Sequence, residues 1–200
     1  MIEIPTDLPA DLAPLAWLVG VWEGTGVIDY EASGHRFTGE FSHRLAFTDD
    51  GAGALGYRAT ARMIDTDAAI PLVSETGYWR LARPQTPADA GPGLLPPRAS
   101  GSVRTADDVE VLRTPEGGFE IQASIVHADG LSELYLGQIR GPRIDIATDA
   151  VVPPPGGAEY GAATRMYGLV DGHLLWAWDI AALGGELASH ASARLAKVER

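Results

Sequence analysis

The sequence predicts an all-β protein, built as a single antiparallel β-barrel of about ten strands. Short segments in which apolar and polar residues alternate recur at regular spacing along the chain. Gly, Pro, Asp and Ser cluster between these segments and mark tight turns. Few segments have the period of an amphipathic helix. Ten strands can close around a cavity that is too large for side chains alone to fill.

Composition limits the classes of function. The chain has 200 residues, which suits one domain, and it carries 27 Asp and Glu against 15 Lys and Arg. This acidic balance argues against binding to nucleic acid or to an anionic membrane, and no apolar stretch is long enough to span a bilayer. The absence of cysteine excludes disulfides and thiolate ligands and favours the cytoplasm. Any metal must therefore be bound by histidine, carboxylate or other oxygen ligands.

The first predicted elements are a short helical plug and a glycine-rich strand. Leucines recur at roughly helical spacing between residues 5 and 18, but Pro9 and Pro14 limit the plug to one or two turns. In the strand that follows, Trp22, Gly24 and Gly26 share one face. Two glycines on one face indicate either that something large approaches there or that the sheet bends.

Further strands follow at steady spacing. The segment 35–47 alternates most clearly, with Phe37, Phe41 and Phe47 on one face. Strands are predicted at residues 20–26, 35–47, 54–64, 72–82, 109–112, 119–127, 131–139, 144–151, 159–170 and 174–182.

Two segments do not have a strand pattern. Residues 84–107 contain five prolines among small and polar residues, which predicts a mobile and dispensable insertion within the single domain 1–200. The segment 191–198 fits a helix by its Ala, Leu and Lys content, and fits a closing strand by its position. The sequence leaves both interpretations of this last segment open.

The C-terminal region contains the candidate ligand-binding histidine. Trp176, Trp178 and Ile180 alternate on one face of a predicted strand, which requires a large interior. The strand breaks at Gly184-Gly185, and His190 follows among small residues, from where it can reach the mouth of that interior. The local pattern alone favours a surface histidine, because most single histidines are not ligands.

Three segments in this order resemble motifs of the nitrobindin family. Residues 20–26 match its Gly-x-Trp-x-Gly-x-Gly motif, residues 75–80 its Glu-Thr-Gly-Tyr segment, and residues 183–195 its terminal segment with a histidine. Residues 127–133 add a weaker match. The resemblance implies a lipocalin-like barrel, similar to fatty-acid-binding proteins, with heme b bound by one axial histidine. It also implies ferric iron that binds nitric oxide reversibly and isomerises peroxynitrite to nitrate.

On this resemblance His190 is the expected iron ligand, with Ile180 on an apolar distal side where no hydrogen-bond donor can be named. The predicted cofactor contacts are Trp22, Gly24, Gly26, Trp178, Ile180 and His190. The chain departs from the family where Glu31-Ala32 replaces Pro-Thr and where Gly185-Glu186 replaces Gln-Pro. The first change removes a threonine expected to help seat heme. The second removes a proline and adds a negative charge near a dianionic cofactor.

Other ionisable side chains are expected to have structural or surface roles, although the arginines are also suited to carboxylates or heme propionates. These residues are His35, His43, His127, His173, Arg80 and Arg165.

Three functions remain open from the sequence. The first is a heme protein that binds nitric oxide and isomerises peroxynitrite. The second is a heme-free carrier of a small apolar ligand, similar to fatty-acid-binding proteins. The third, an acid–base hydrolase or isomerase, is the weakest because no carboxylate pair or triad stands out. The expected partners are small molecules, and the exposed barrel rim also allows a homodimer.

Overall fold

The computed structural model describes residues 8–49, 51, 53–64, 70–99 and 104–198. Ten antiparallel strands close into one barrel, in which each strand pairs with its neighbours along the chain and the last pairs with the first. This confirms the predicted fold class. The strands are β1 (Gly20–Ala32), β2 (His35–Asp49), β3 (Leu55–Met63), β4 (Pro71–Leu81), β5 (Phe119–His127), β6 (Ser132–Arg140), β7 (Arg143–Val152), β8 (Tyr160–Val170), β9 (His173–Ala182) and β10 (Ala188–Val198).

Closure of the barrel explains the last strand and the glycines of β1. The segment 191–198 is strand, because β10 pairs with β1 from Val21–Val198 to Ile28–Ala191 and with β9 on its other side. A Cβ atom at Gly24 would collide with the carbonyl oxygen of Arg194. The close approach expected at these glycines is therefore that of the neighbouring strand β10.

A short helix covers one end of the barrel. This 3-10 helix spans Ala10–Leu18 and packs against β4, and Leu12, Leu15 and Leu18 have no exposed surface. The Trp22 indole N–H donates to the Leu18 carbonyl oxygen at 2.7 Å, which ties the helix to β1. The predicted plug is thus present, although residues 5–7 of the segment lie outside the described ranges.

Aromatic side chains fill the part of the barrel next to this helix. The Trp79 ring contacts the rings of Phe47, Tyr57 and Tyr167, with centroids 5.2 to 5.8 Å apart. Trp79 and Phe47 are fully buried. Such dense packing leaves no room for a ligand at this end, so unfilled space must lie nearer the opposite rim.

One predicted strand is wrong. Residues 109–112 were expected to be extended, but a helix, α1, spans Ala106–Glu110 and continues into a turn. The Thr105 side chain accepts from the Asp108 backbone N–H, and the Asp108 carboxylate accepts from the Thr105 backbone N–H. This reciprocal capping box stabilises a helix start, which outweighs the apolar residues that suggested a strand.

The Pro-rich insertion is tied to the barrel at its beginning. Arg83 pairs with Asp89 at 2.7 Å and with Asp11 at 3.1 Å, and Asp89 also accepts from the backbone N–H of Thr86. Most side chains between 84 and 99 are exposed, and residues 100–103 lie outside the described ranges. Mobility and dispensability of 84–107 stay predictions.

Limited trypsin digestion is expected to cut first at Arg98 or Arg104 and to leave the barrel folded. Five prolines and few apolar side chains give this segment little burial to offset the entropy of ordering it. Mass spectrometry identifies the first fragments and circular dichroism reports the remaining fold. Equal protection of 84–107 and the strands, or loss of the fold after one cut, would contradict the prediction.

In the described part of the chain, the helices are too short and too polar for a transmembrane segment.

Candidate functional site

A cavity lies inside the barrel, away from the end that the 3-10 helix covers. Its volume is about 240 Å³, which is below the 300–1,000 Å³ of common small-molecule sites, so a bulky ligand would also occupy the mouth. The lining combines apolar, aromatic and ionisable side chains. These are Ile28, Phe41, His43, Tyr57, Ala61, Leu72, Val73, Glu75, His127, Leu131, Tyr160, Arg165, Tyr167, Trp176, Trp178, His190 and Ala191.

His190 stands at a break in the pairing of β10. The register between β9 and β10 shifts between Ser189 and Ala191, which places His190 at a β-bulge. Bulges commonly re-aim a side chain at the rim of a barrel. The imidazole lies between the rings of Tyr30 and Trp178, with both centroids 5.5 Å away and both rings nearly perpendicular to it.

The His190 imidazole is suited to bind a metal. Its Nδ1 atom is buried and has no hydrogen-bond partner among the described residues. Burial, and secondarily the positive charge of Arg165, lower the pKa of His190. The ring is therefore neutral at neutral pH, which is the form that coordinates metals.

The loop before His190 is fastened to the first hairpin. The Tyr30 hydroxyl donates to the Ala182 carbonyl oxygen at 2.9 Å and accepts from the Ala182 N–H at 3.2 Å. The Ser33 hydroxyl donates to the Leu183 carbonyl oxygen at 2.8 Å. A Cβ atom at Gly185 would lie 2.9 Å from the Tyr30 hydroxyl oxygen, so glycine suits this position. Side-chain hydrogen bonds therefore hold this loop in place, although Glu186 replaces the proline of the family motif.

Tyr30→Phe is expected to lower the free energy of unfolding by about 1–3 kcal/mol, because the buried Ala182 N–H loses its side-chain acceptor, while the Ala182 carbonyl oxygen keeps the Gly185 N–H as a donor. Phenylalanine keeps the ring contact with His190, so the loss reports the hydroxyl. Urea titration measures the difference, and Ser33→Ala, which removes an exposed hydrogen bond of the same loop, serves as control. A Tyr30→Phe effect no larger than that of Ser33→Ala would show that the hydroxyl does not fasten the loop.

A buried ionic cluster forms one wall of the cavity. Arg165 donates from both terminal nitrogens to Glu75, at 2.9 and 3.0 Å, and from one of them to Glu133 at 3.2 Å. Its Nε donates to the Tyr135 hydroxyl at 3.0 Å, and the guanidinium lies 3.9 Å from the centroid of the Trp178 ring. Arg165 therefore makes buried salt bridges, which agrees with the structural role expected for it and not with a surface role.

Hydroxyl groups and one imidazole complete the cluster. Tyr57 donates to Glu75 at 2.7 Å, while Tyr135 and Tyr160 donate to Glu133 at 2.6 and 2.8 Å. The Nε2 atom of His127 lies 2.7 Å from Glu133. Each carboxylate is thus surrounded by donors, which is the condition for keeping a charge in a protein interior.

The donors keep both carboxylates ionised. Burial raises the pKa of Glu75, but the charge and hydrogen bonds of Arg165 outweigh burial and lower that pKa to about 2. Burial likewise raises the pKa of Glu133, and the His127 hydrogen bond and the Arg165 charge reverse the direction. Both side chains are charged at neutral pH.

Stability is expected to fall as the pH drops from about 5 to 2. The folded-state pKa of Glu75, about 2, lies below its unfolded value, so its contribution is present at neutral pH and is lost on acidification. A depression of this size corresponds to about 3 kcal/mol. Urea titrations at pH 7, 5, 4 and 3 measure the slope, and Glu75→Gln should flatten it. An unfolding free energy that stays constant over this range would contradict the prediction.

The structure brings together some of the predicted site residues. Trp178 and His190 both line the cavity and contact each other. Trp22 is fully buried against the 3-10 helix, Gly24 and Gly26 face β10, and Ile180 is buried but is not part of the cavity lining. The assignment of these four residues as cofactor contacts stays a prediction.

His43 lies in the cavity wall, although the sequence suggested only a surface or structural role. It shares strand parity with Phe41 and Leu45, so alternation in β2 already pointed it inward. The same signal in β8 places Arg165 on the face of Tyr167. The alternation of inward and outward residues along each strand was therefore the sequence feature that could have placed His43 and Arg165 inside the barrel.

The described residues contain no cluster of three His, Asp or Glu side chains arranged to bind a bare metal ion. The His190 imidazole, with its unpartnered Nδ1 atom, instead suits a metal that brings its other ligands, as heme iron does. Aromatic and aliphatic walls beside it suit a flat apolar ring system. The residues present thus fit a heme.

Comparison with known proteins supports this fit. Residues 11–197 match the model of the THAP4-like, heme-binding beta-barrel domain. A protein of Leifsonia xyli named peroxynitrite isomerase is 59% identical, and one of Clavibacter michiganensis with the same name is 52% identical, and both alignments cover 100% of each chain. The crystal structure of Rv2717c from M. tuberculosis has a TM-score of 0.68 at 22% identity and covers 96% of this chain and 100% of its own.

Proposed function

The chain belongs to the THAP4-like, heme-binding β-barrel family, and from this we propose that it binds heme b at the open end of its barrel and isomerises peroxynitrite to nitrate. The observation that carries the proposal is the His190 imidazole, which lines the cavity, is neutral, and has a buried nitrogen without a partner. Relatives at 50–59% identity over the full chain are named for this reaction.

Each part of the site has a distinct task in this proposal. The His190 imidazole would hold the heme iron, and the flanking rings of Tyr30 and Trp178 fix the orientation of that imidazole. Ile28, Leu72 and the rest of the apolar lining exclude water from the porphyrin. When bound, heme supplies an iron with an open coordination position for nitric oxide or peroxynitrite.

Two charged residues, Arg165 and Glu186, affect the electrostatics of binding a dianionic heme. Arg165 is engaged by Glu75 and Glu133, so the heme propionates need other partners or water. Glu186 is exposed, so water and salt screen its negative charge from the cofactor. The departure from the family at Glu186 is therefore compatible with heme.

The test has two stages. Heme-free protein is titrated with hemin, and a Soret band that saturates at one heme per chain is expected. The loaded protein should then speed the decay of peroxynitrite and raise the nitrate yield above that of free hemin. Failure to take up hemin, together with saturable binding of a fatty acid, would overturn the proposal in favour of the apolar-ligand carrier.

The remaining expectations belong to this proposal. A cytoplasmic location rests on the absence of cysteine from the sequence. A homodimer stays a prediction, and sedimentation velocity of the heme-loaded protein measures it.

A further inference from the structure

His43 is a second histidine of the cavity, and no role in binding has yet been assigned to it. It projects inward from β2, is 8% exposed, and forms part of the cavity wall. Its ring contacts those of Phe41 and Trp176, with centroids 5.9 and 5.0 Å away. Its Nε2 atom is buried and has no hydrogen-bond partner among the described residues.

The neighbouring indole determines which nitrogen of His43 carries the proton. The Trp176 Nε1 atom donates to His43 Nδ1 at 3.0 Å. An indole N–H is a donor and never an acceptor, so Nδ1 must be unprotonated. The neutral ring then carries its hydrogen on Nε2. Burial lowers the pKa of His43 to about 4, so this N–H form prevails at neutral pH.

A buried N–H without an acceptor is unfavourable, and a bound water, ion or ligand is one explanation for it. The ring borders the cavity, so a small molecule in the cavity can supply the missing acceptor. The nearest fixed charges act in opposite directions, because Glu75 repels an anion and Arg165 attracts one. The His43 donor therefore favours a ligand with an exposed oxygen.

We propose that the Nε2–H of His43 is the hydrogen-bond donor of a subsite that holds one oxygen of a small oxyanion, peroxynitrite before the isomerisation and nitrate after it. The identity of the anion rests on the proposed function. Isomerisation of peroxynitrite anion to nitrate rearranges the atoms of one ion and needs no net proton transfer. A group that donates a hydrogen bond and keeps its proton is thus sufficient, and Trp176 is its positioning residue.

The first test uses heme-free protein and nitrate as the probe. Sodium nitrate is titrated against sodium chloride at constant ionic strength, and the Trp176 indole N–H signal, assigned with Trp176→Phe, is followed by NMR. A saturable shift is expected. His43→Phe should weaken nitrate binding about tenfold or more, the loss expected for one hydrogen bond to an anion.

Two further variants separate loss of the donor from other effects of substitution. His43→Gln keeps an acceptor for Trp176 and a donor for the anion, so nitrate affinity should stay within about threefold of wild type. His173→Phe makes the same substitution at a histidine of β9 outside the cavity lining, and should leave nitrate affinity unchanged. The absence of a saturable shift in wild type, or equal nitrate affinity in His43→Phe, would overturn the inference.

The second test uses heme-loaded protein. His43→Phe should leave the Soret titration unchanged and lower kcat/KM for peroxynitrite about tenfold, with His43→Gln restoring most of it. If wild type takes up no hemin while nitrate binding still depends on His43, the proposed function fails and the subsite stands. If isomerisation proceeds equally in His43→Phe, the subsite is wrong and the proposed function stands.

Discussion

His190→Ala is expected to abolish stoichiometric heme binding while the barrel stays folded. The imidazole is the candidate axial ligand, and alanine offers the iron no replacement. The side chain contacts the Tyr30 and Trp178 rings, and its buried Nδ1 makes no hydrogen bond with any described residue. Its removal should therefore cost the fold about 1 kcal/mol, the typical effect of a single substitution.

The measurement is a hemin titration followed at the Soret band, with thermal unfolding of the heme-free protein in parallel. His173→Ala is the matched control, because His173 is a histidine of β9 outside the cavity lining. Heme affinity is expected to fall by at least about a hundredfold in His190→Ala and to remain unchanged in His173→Ala. Equal one-to-one uptake of hemin by both variants would remove His190 from the site.

Arg165→Met is expected to lower the free energy of unfolding by about 3–5 kcal/mol, the cost of leaving partners of a buried ion pair uncompensated. Glu75 and Glu133 are 3% exposed, as is Arg165 itself, so water cannot replace the lost guanidinium. Methionine keeps much of the apolar volume and the contact with Trp178, so most of the loss is electrostatic.

Urea unfolding at pH 7 measures this loss, and Arg143→Met is the matched control. Arg143 pairs with Asp145 at 2.7 Å, but the two side chains are 62% and 42% exposed, so the control should cost at most about 1 kcal/mol. The double variant Arg165→Met, Glu75→Gln should recover part of the loss by removing one unpaired charge. Similar losses for Arg165→Met and Arg143→Met would show that the cluster does not stabilise the barrel.

Strand alternation and motif order predicted most of the fold. The alternation in 35–47 and 174–182 predicted strands that turn one apolar face toward the interior. β2 and β9 are strands of this kind. The strand expected at 109–112 is wrong because the capping box of Thr105 and Asp108 stabilises a helix start, which outweighs the strand preference of the apolar residues. The segment 191–198 stayed ambiguous because its strand state depends on pairing with β1, which lies at the other end of the chain.

The candidate site was predicted in part. The motif order and the position of His190 after a tryptophan-rich strand selected His190, which lines the cavity beside Trp178, and its role as iron ligand stays a prediction. Trp22 shares an inward face with the glycines of β1, yet it packs under the 3-10 helix. Alternation reports which face a side chain occupies, but not how far along the barrel axis it lies.

By itself, the sequence determined that the chain is an all-β barrel, which strands turn which faces inward, and that His190 follows the tryptophan-rich strand. The tertiary structure alone decided the ionic cluster, in which Arg165 meets a carboxylate 90 residues away, and the Trp176–His43 bond, which spans 133 residues. Local pattern is set by the backbone period, which any short segment carries. Contacts across the barrel depend on strand order, register and closure together, which no segment carries alone.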